Sequence, residues 1–211
     1  MIKAVFFDLD GVLVNACDWH YHSLNEALRN ISDTEIERDE HMSTFNGLPT
    51  KKKLQLLSDN GRIKTEDHDK IWNEKQLLTE KVIQVHAKVD IDKQNLHKLL
   101  QKRGLILCCV TNSIRKTALL MLEKTGQLNF MKTVITNEDV VNPKPNSEGY
   151  QKAIDFFNLD SREVLIIEDS DKGYEAAIGT GAHVFRVKDP SFVNIKNVFN
   201  KIESLNKERK K

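Results

Sequence analysis

FFDLDGV, residues 6–12, is an apolar run that stops on two carboxylates, Asp8 and Asp10, with a glycine straight after. In an extended chain, residues two apart point the same way. Both acids therefore leave one face where a buried strand ends. There they repel each other and lose solvation. A bound cation is the candidate that offsets this cost.

The run opens as IKAVFF (2–7), and four further segments resemble it: LILCCV (105–110), TVIT (133–136), VLII (164–167) and HVFRV (183–187). Near-continuous apolar runs of this length fit strands covered on both faces. Helical patterns lie between them, at 92–104, 113–126 and 147–158. The first two end in Gly104 and Gly126, and Ser113 is the expected N-cap of the second. Strand and helix alternate from about residue 90, which predicts a doubly wound parallel α/β sheet of Rossmann-like type. Residues 16–87 show no strand pattern, only helical periodicity at 18–30, 51–60 and 66–86. They are expected to form an all-helical cap inserted after the first strand, leaving 1–15 and 88–211 as the core.

The 211 residues include 32 basic and 31 acidic ones, a net charge of +1. No global field favours nucleic acid. The basic end NKERKK (206–211) is expected to be a solvated, fraying terminus. No signal-peptide pattern opens the chain, and no apolar run approaches the roughly 20 residues a membrane span needs. Three cysteines, Cys17, Cys108 and Cys109, give neither a disulfide framework nor a metal-ligand spacing. A cytoplasmic protein without nucleic-acid or membrane partners is expected.

In open parallel sheets, ligands bind beyond the carboxyl ends of the strands. Those ends supply Asp8 and Asp10, then Thr111, Asn112 and Ser113, then Lys144 within NPKPN, then Glu168, Asp169 and Ser170. Each type has a use in phosphoryl transfer. Acids hold Mg²⁺, a hard ion that takes carboxylate oxygens. Lys144 neutralises phosphoryl oxygens. Thr111 and the amides opening the next helix form an anion cradle. One carboxylate attacks phosphorus and the second moves the proton.

This set resembles the haloacid-dehalogenase superfamily, and within it the β-phosphoglucomutase-like phosphatases. DLDGVL, VTNS, NPKP and IIEDSDKGYEAA are similar to its four motifs, and FNGLPTKKKL (45–54), with Gly47, to the cap's specificity loop. The resemblance implies Asp8 as nucleophile and Asp10 as acid/base. It implies Thr111, Asn112 and Lys144 as phosphate binders, with Asp8, Asp10 (through its carbonyl), Glu168 and Asp169 holding Mg²⁺. His20 and Lys75 match cap residues near the acid/base. The implied activity is Mg²⁺-dependent hydrolysis of a small phosphorylated metabolite, by a monomer or weak oligomer. A phosphosugar mutase is the alternative. The chain departs from relatives at Asn15-Ala16, where many have an Asp-Thr or Asp-Ser pair. It departs again at Pro49-Thr50-Lys51, where the mutase has an arginine that grips a second phosphate.

Several signals read as ordinary packing. In HYH (20–22), residues two apart on a helix do not converge on one metal. Lys51 to Lys53 read as a solvated face, Cys108 and Cys109 as core, and Trp19 and Trp72 as cap packing. Cys17 reads as an exposed thiol at the cap entrance.

Overall fold

The computed structural model describes residues 1–208. Five strands form one parallel sheet: β1 (Ala4–Phe7), β2 (Ile106–Val110), β3 (Thr133–Ile135), β4 (Val164–Glu168) and β5 (His183–Arg186), in the order β3-β2-β1-β4-β5. All five apolar runs are strands, four trimmed by a residue or two and the fourth run lengthened by Glu168. β1 is central, pairing Phe7 with Cys109 of β2 and with Ile167 of β4. The order reverses beside β1, so Asp8 and Asp10 emerge at the crevice where such sheets bind ligands.

Side chains alternate across the sheet. Val5 and Phe7 pack on one face with Leu96 and Leu100 of α5 (Ile91–Lys102), Met121 of α6 (Arg115–Lys124) and Val198 of α9 (Ile195–Glu208). Ala4 and Phe6 pack on the other with Tyr150 and Ile154 of α7 (Glu148–Phe156) and Ala176 of α8 (Asp171–Ile178). Helices thus cover both faces, which is why the strands read as unbroken apolar runs. Cys108 and Cys109 are fully buried, one on each face.

Between β1 and α5 the chain is helical: α1 (Cys17–Ser32), α2 (Arg38–Glu40) running into a π-turn at His41–Phe45, α3 (Thr50–Asp59) and α4 (His68–His86). These helices bury a cluster of their own, including Leu24, Leu28, Phe45, Leu57 and Ile71. Ile83 and Ala87, at the foot of α4, join the sheet's core instead. Trp19 also packs against that core, unlike the cap packing expected of it.

Two local expectations fail for physical reasons. Ile114, not Ser113, occupies the N-cap of α6, with no side-chain cap. The Ser113 hydroxyl donates instead to Asp10, 2.8 Å away. Asn206, in the basic end, is not frayed: its Oδ1 accepts from the Ile2 amide at 2.8 Å. Residues 209–211 of that end lie outside the described residues. Among the described residues, no helix is long and apolar enough to cross a membrane.

Candidate active site

Asp8 follows β1 directly, and its amide donates to the Ile167 carbonyl at 3.0 Å, which ties it to β4. Its Oδ1 accepts from Lys144 Nζ at 2.6 Å. The same ammonium donates to Glu168 Oε1 at 2.5 Å and to the Val110 carbonyl at 2.8 Å, and lies 3.0 Å from the Tyr150 hydroxyl. Tyr150 in turn donates to Glu168 Oε1 at 2.6 Å. Lys144 is held charged: burial opposes the charge, but Asp8 and Glu168 outweigh it and raise the pKa.

Asp8, Glu168 and Asp169 place carboxylate oxygens within 4.8 Å of one another. One lysine faces three acids, so the cluster carries surplus negative charge. Burial first, then the neighbouring acids, raise Asp8 well above the usual carboxylate range and Asp169 to about 7. Asp169 Oδ1 is buried with no hydrogen-bond partner. An orphaned buried carboxylate oxygen beside two other acids fits a hard divalent cation.

Two glycines make room for these acids. A Cβ on Gly11 (φ +88°) would meet Asp169 Oδ2 at 2.2 Å, and one on Gly173 would meet the Glu168 carboxylate at 2.1 Å. Ser170 caps α8 by accepting from the Gly173 amide at 3.1 Å, fixing that glycine behind Glu168.

Asp10 takes part in a second, separate network. Its Oδ1 lies 2.9 Å from His20 Nε2, and Oδ2 accepts from Ser113 at 2.8 Å and Thr111 at 3.4 Å. Burial favours the neutral acid, but His20 and the Ser113 hydroxyl outweigh it and lower the pKa. His20 Nδ1 lies 3.1 Å from Lys75 Nζ. An ammonium only donates, so Nδ1 accepts and the neutral ring's proton sits on Nε2, facing Asp10. Burial, then the Lys75 charge, lower the His20 pKa. Burial, then Lys53, push Lys75 down to about 7.

Asn112 faces backbone. Its Nδ2 donates to the carbonyls of Gly47 at 2.8 Å and Lys144 at 3.0 Å, while Oδ1 accepts from the Lys144 amide at 3.1 Å. It thereby ties the loop of Gly47 (φ +76°) to the sheet's rim. Two of the amides expected to cradle an anion are already bonded: Ser113's donates to Thr111 Oγ1 at 3.0 Å and Arg115's to Glu138 at 2.5 Å.

These groups surround one cavity of about 620 Å³, floored by Asp8, Asp10, Lys144 and Asp169 and roofed by the helical segment, with His20 and Lys75 between. Sequence reasoning missed several of its residues. Lys53, read as part of a solvated face, is buried, whereas Lys51 and Lys52 are exposed. Position on α3 decides this: Lys53 lies beside Leu54 and Leu57 on the inward stripe, a periodicity the KKK run conceals. Tyr150, which bonds Lys144 and Glu168 beneath the site, was not singled out within the helical pattern at 147–158. Trp72 packs on the helices' own cluster as expected and also lines the cavity, with Lys51 Nζ 5.8 Å from its ring. Cys17 lines it half-buried, its thiol pushed up to about 12 by burial and nearby acids. His22 is exposed, away from His20.

An aspartate-lined crevice at the switch point of a doubly wound sheet, under a helical roof, defines a hydrolase of the phosphatase type. The chain belongs to the haloacid dehalogenase-like hydrolase family, whose model matches residues 5–187. It is 27% identical to the pyrophosphatase PpaX of Bacillus pumilus over 177 residues, which is 80% of this chain and 75% of that one. In fold it is similar to β-phosphoglucomutase from Clostridium difficile, with a TM-score of 0.84, 20% identity and 99% of each chain covered. It is similar also to CbbY from Rhodobacter sphaeroides, solved with phosphate, with a TM-score of 0.77, 18% identity, and 87% and 85% of the chains covered.

Proposed function

We propose that the protein is a Mg²⁺-dependent phosphatase for a small phosphorylated metabolite, working through a phosphoaspartate on Asp8. The observation that carries this reading is the pairing of a buried, lysine-held Asp8 inside an acid cluster with Asp10 held in its own hydrogen-bond network. Asp8, Glu168, Asp169 and the Asp10 carbonyl would hold the ion. When bound, it supplies charge neutralisation for the acids and the phosphoryl oxygens.

Asp8 Oδ attacks phosphorus and the bond to the leaving oxygen breaks. His20 Nε2–H, backed by Lys75, charges Asp10, which passes that proton to the leaving oxygen and is left as a carboxylate. Asp10 then accepts a proton from the water that cleaves the acyl-phosphate and releases Asp8. Lys144 and Thr111 bind the phosphoryl oxygens. Asn112 serves by holding the Lys144 loop and the Gly47 loop in register. Residues 16–87 act as the cap on the core of 1–15 and 88–211, hinged near 14–16 and 86–88. Hydrolysis is preferred to mutase chemistry because the curated relatives are named as pyrophosphatases.

The test is release of phosphate from p-nitrophenyl phosphate with Mg²⁺, with EDTA and with neither. Turnover that EDTA abolishes and Mg²⁺ restores, better than Ca²⁺ does, is expected. Full activity in EDTA contradicts the reading.

A further inference from the structure

We propose that His97 and Gln127 are positioning residues for the turn that carries Asp8 and Asp10: His97 sets which way the Gln127 amide faces, and Gln127 holds the turn at the Leu13 carbonyl. This rests on the phosphatase reading above and adds to it two residues that do not line the cavity.

The chain leaves β1 as a closed turn. The amides of Leu13 and Val14 both donate to the Leu9 carbonyl at 2.9 Å, and that of Gly11 donates to the Val14 carbonyl at 2.8 Å. Asp10 pairs with Val14 in an isolated parallel bridge. Where Leu13 and Val14 sit therefore decides where Asp10 points. The buried pair holds this turn at both ends. The His97 ring stands edge-on to Phe7, the residue before Asp8, with centroids 5.4 Å apart. Gln127 Nε2 donates to the Leu13 carbonyl at 3.1 Å.

The partners fix every proton in the pair. A carbonyl only accepts, so Gln127 Nε2 faces Leu13, and it also donates to Thr125 Oγ1 at 2.9 Å. Oε1 is then the atom 2.9 Å from His97 Nε2, which must carry the ring's hydrogen. Burial lowers the His97 pKa to about 4, so the ring is neutral at neutral pH and Nδ1 is bare. That Nδ1 is buried without a partner. Both residues are 0% exposed, and the ring lies between Phe7 and Phe130. An apolar side chain would fill this space with no bond left unmade. Packing alone thus does not account for a histidine here, whereas aiming the amide does. Without Nε2–H, Oε1 has no donor and the amide is free to turn its oxygen on the Leu13 carbonyl. A pair that only satisfied a buried carbonyl would affect stability alone. One that aims the turn also affects the step in which Asp10 moves a proton.

Hydrogen exchange and leaving-group dependence together test the proposal, on wild type, Gln127→Met, His97→Leu and His97→Gln in Mg²⁺ buffer. The glutamine at 97 places an amide N–H where Nε2–H stands, so it is the rescuing variant. In Gln127→Met and His97→Leu, exchange of residues 8–14 is expected to speed up about 10-fold, what one buried hydrogen bond is worth, with β2 and β3 unchanged. Their kcat on phenyl phosphate is expected to fall about 10-fold or more. The loss should be smaller on p-nitrophenyl phosphate, which needs less protonation, with KM little changed on both. His97→Gln should restore both readouts. Exchange that is unaltered in residues 8–14, or raised evenly along the chain, overturns the proposal. So do equal losses on the two aryl phosphates, or a His97→Gln protein no better than His97→Leu, and the phosphatase reading survives each of these results. Wild-type protein that turns over neither phosphate overturns that reading instead, and exchange in residues 8–14 then decides the hold on the turn by itself.

Discussion

His20 shows how one side chain's role depends on both of its ring nitrogens. Nε2–H points at Asp10 and Nδ1 at Lys75, so the ring is a link rather than a packing element. Removing it matters most when the leaving oxygen needs a proton. His20→Ala is expected to lower kcat on an alkyl phosphate by about 10², and by much less on p-nitrophenyl phosphate, whose leaving group is already stable as an anion. Parallel kinetics on the two substrates check this, and equal losses would make His20 a packing residue. At this scale the sequence was partly legible. Asp8, Asp10, Glu168 and Asp169 follow apolar runs and announce themselves by position. Lys53 and Tyr150 do not, because their meaning lies in which way a helix turns them and in a partner far along the chain. Tyr150 and Glu168 are bonded at 2.6 Å yet stand 18 positions apart.

Among the elements, β4 and α8 together build the acid cluster. β4 ends on Glu168, the chain turns through Asp169, and Ser170 caps the helix over Gly173. Alanine normally favours a helix interior over glycine by about 1 kcal/mol. Here the added methyl would stand 2.1 Å from the Glu168 carboxylate, pinned in turn by Lys144 and Tyr150. Gly173→Ala is therefore expected to destabilise the protein by about 1–3 kcal/mol and to lower activity with it. Urea unfolding and phosphate release measured side by side decide it; an active, more stable variant would sink the account of the cluster. Strands and helices were legible because burial on both faces leaves an unmistakable apolar run. The start of α6 was not, since the Ser113 hydroxyl donates to Asp10 and its oxygen does not accept from the helix's first amides as an N-cap would.

For the molecule as a whole, the sheet's core holds a buried histidine that sets an acid limit on stability. His97 bonds Gln127 at 2.9 Å, and Gln127 reaches the Leu13 carbonyl at 3.1 Å, close to where the chain leaves the core for the cap. Burial lowers His97 from 6.5 to about 4. The unfolded chain thus takes up a proton first as pH falls. The stability is complete above pH 6.5, and about 2 kcal/mol of it is lost by pH 5 as the loss runs on towards pH 4. Urea titrations at pH 7 and pH 5 should show that drop, and His97→Gln should reduce it by a similar amount. An unchanged pH dependence in the variant would remove His97 from the explanation.

The central claim is that Asp8 carries the phosphoryl group, and acid-quenched intact-mass analysis during turnover tests it most directly. The wild-type chain is expected to gain the mass of one phosphoryl group. Asp8→Asn should gain none, keep its fold by circular dichroism, and lose at least about 10³ in kcat. An Asp8→Asn protein that still acquires the phosphoryl mass, or that keeps a tenth of the wild-type rate, would contradict it.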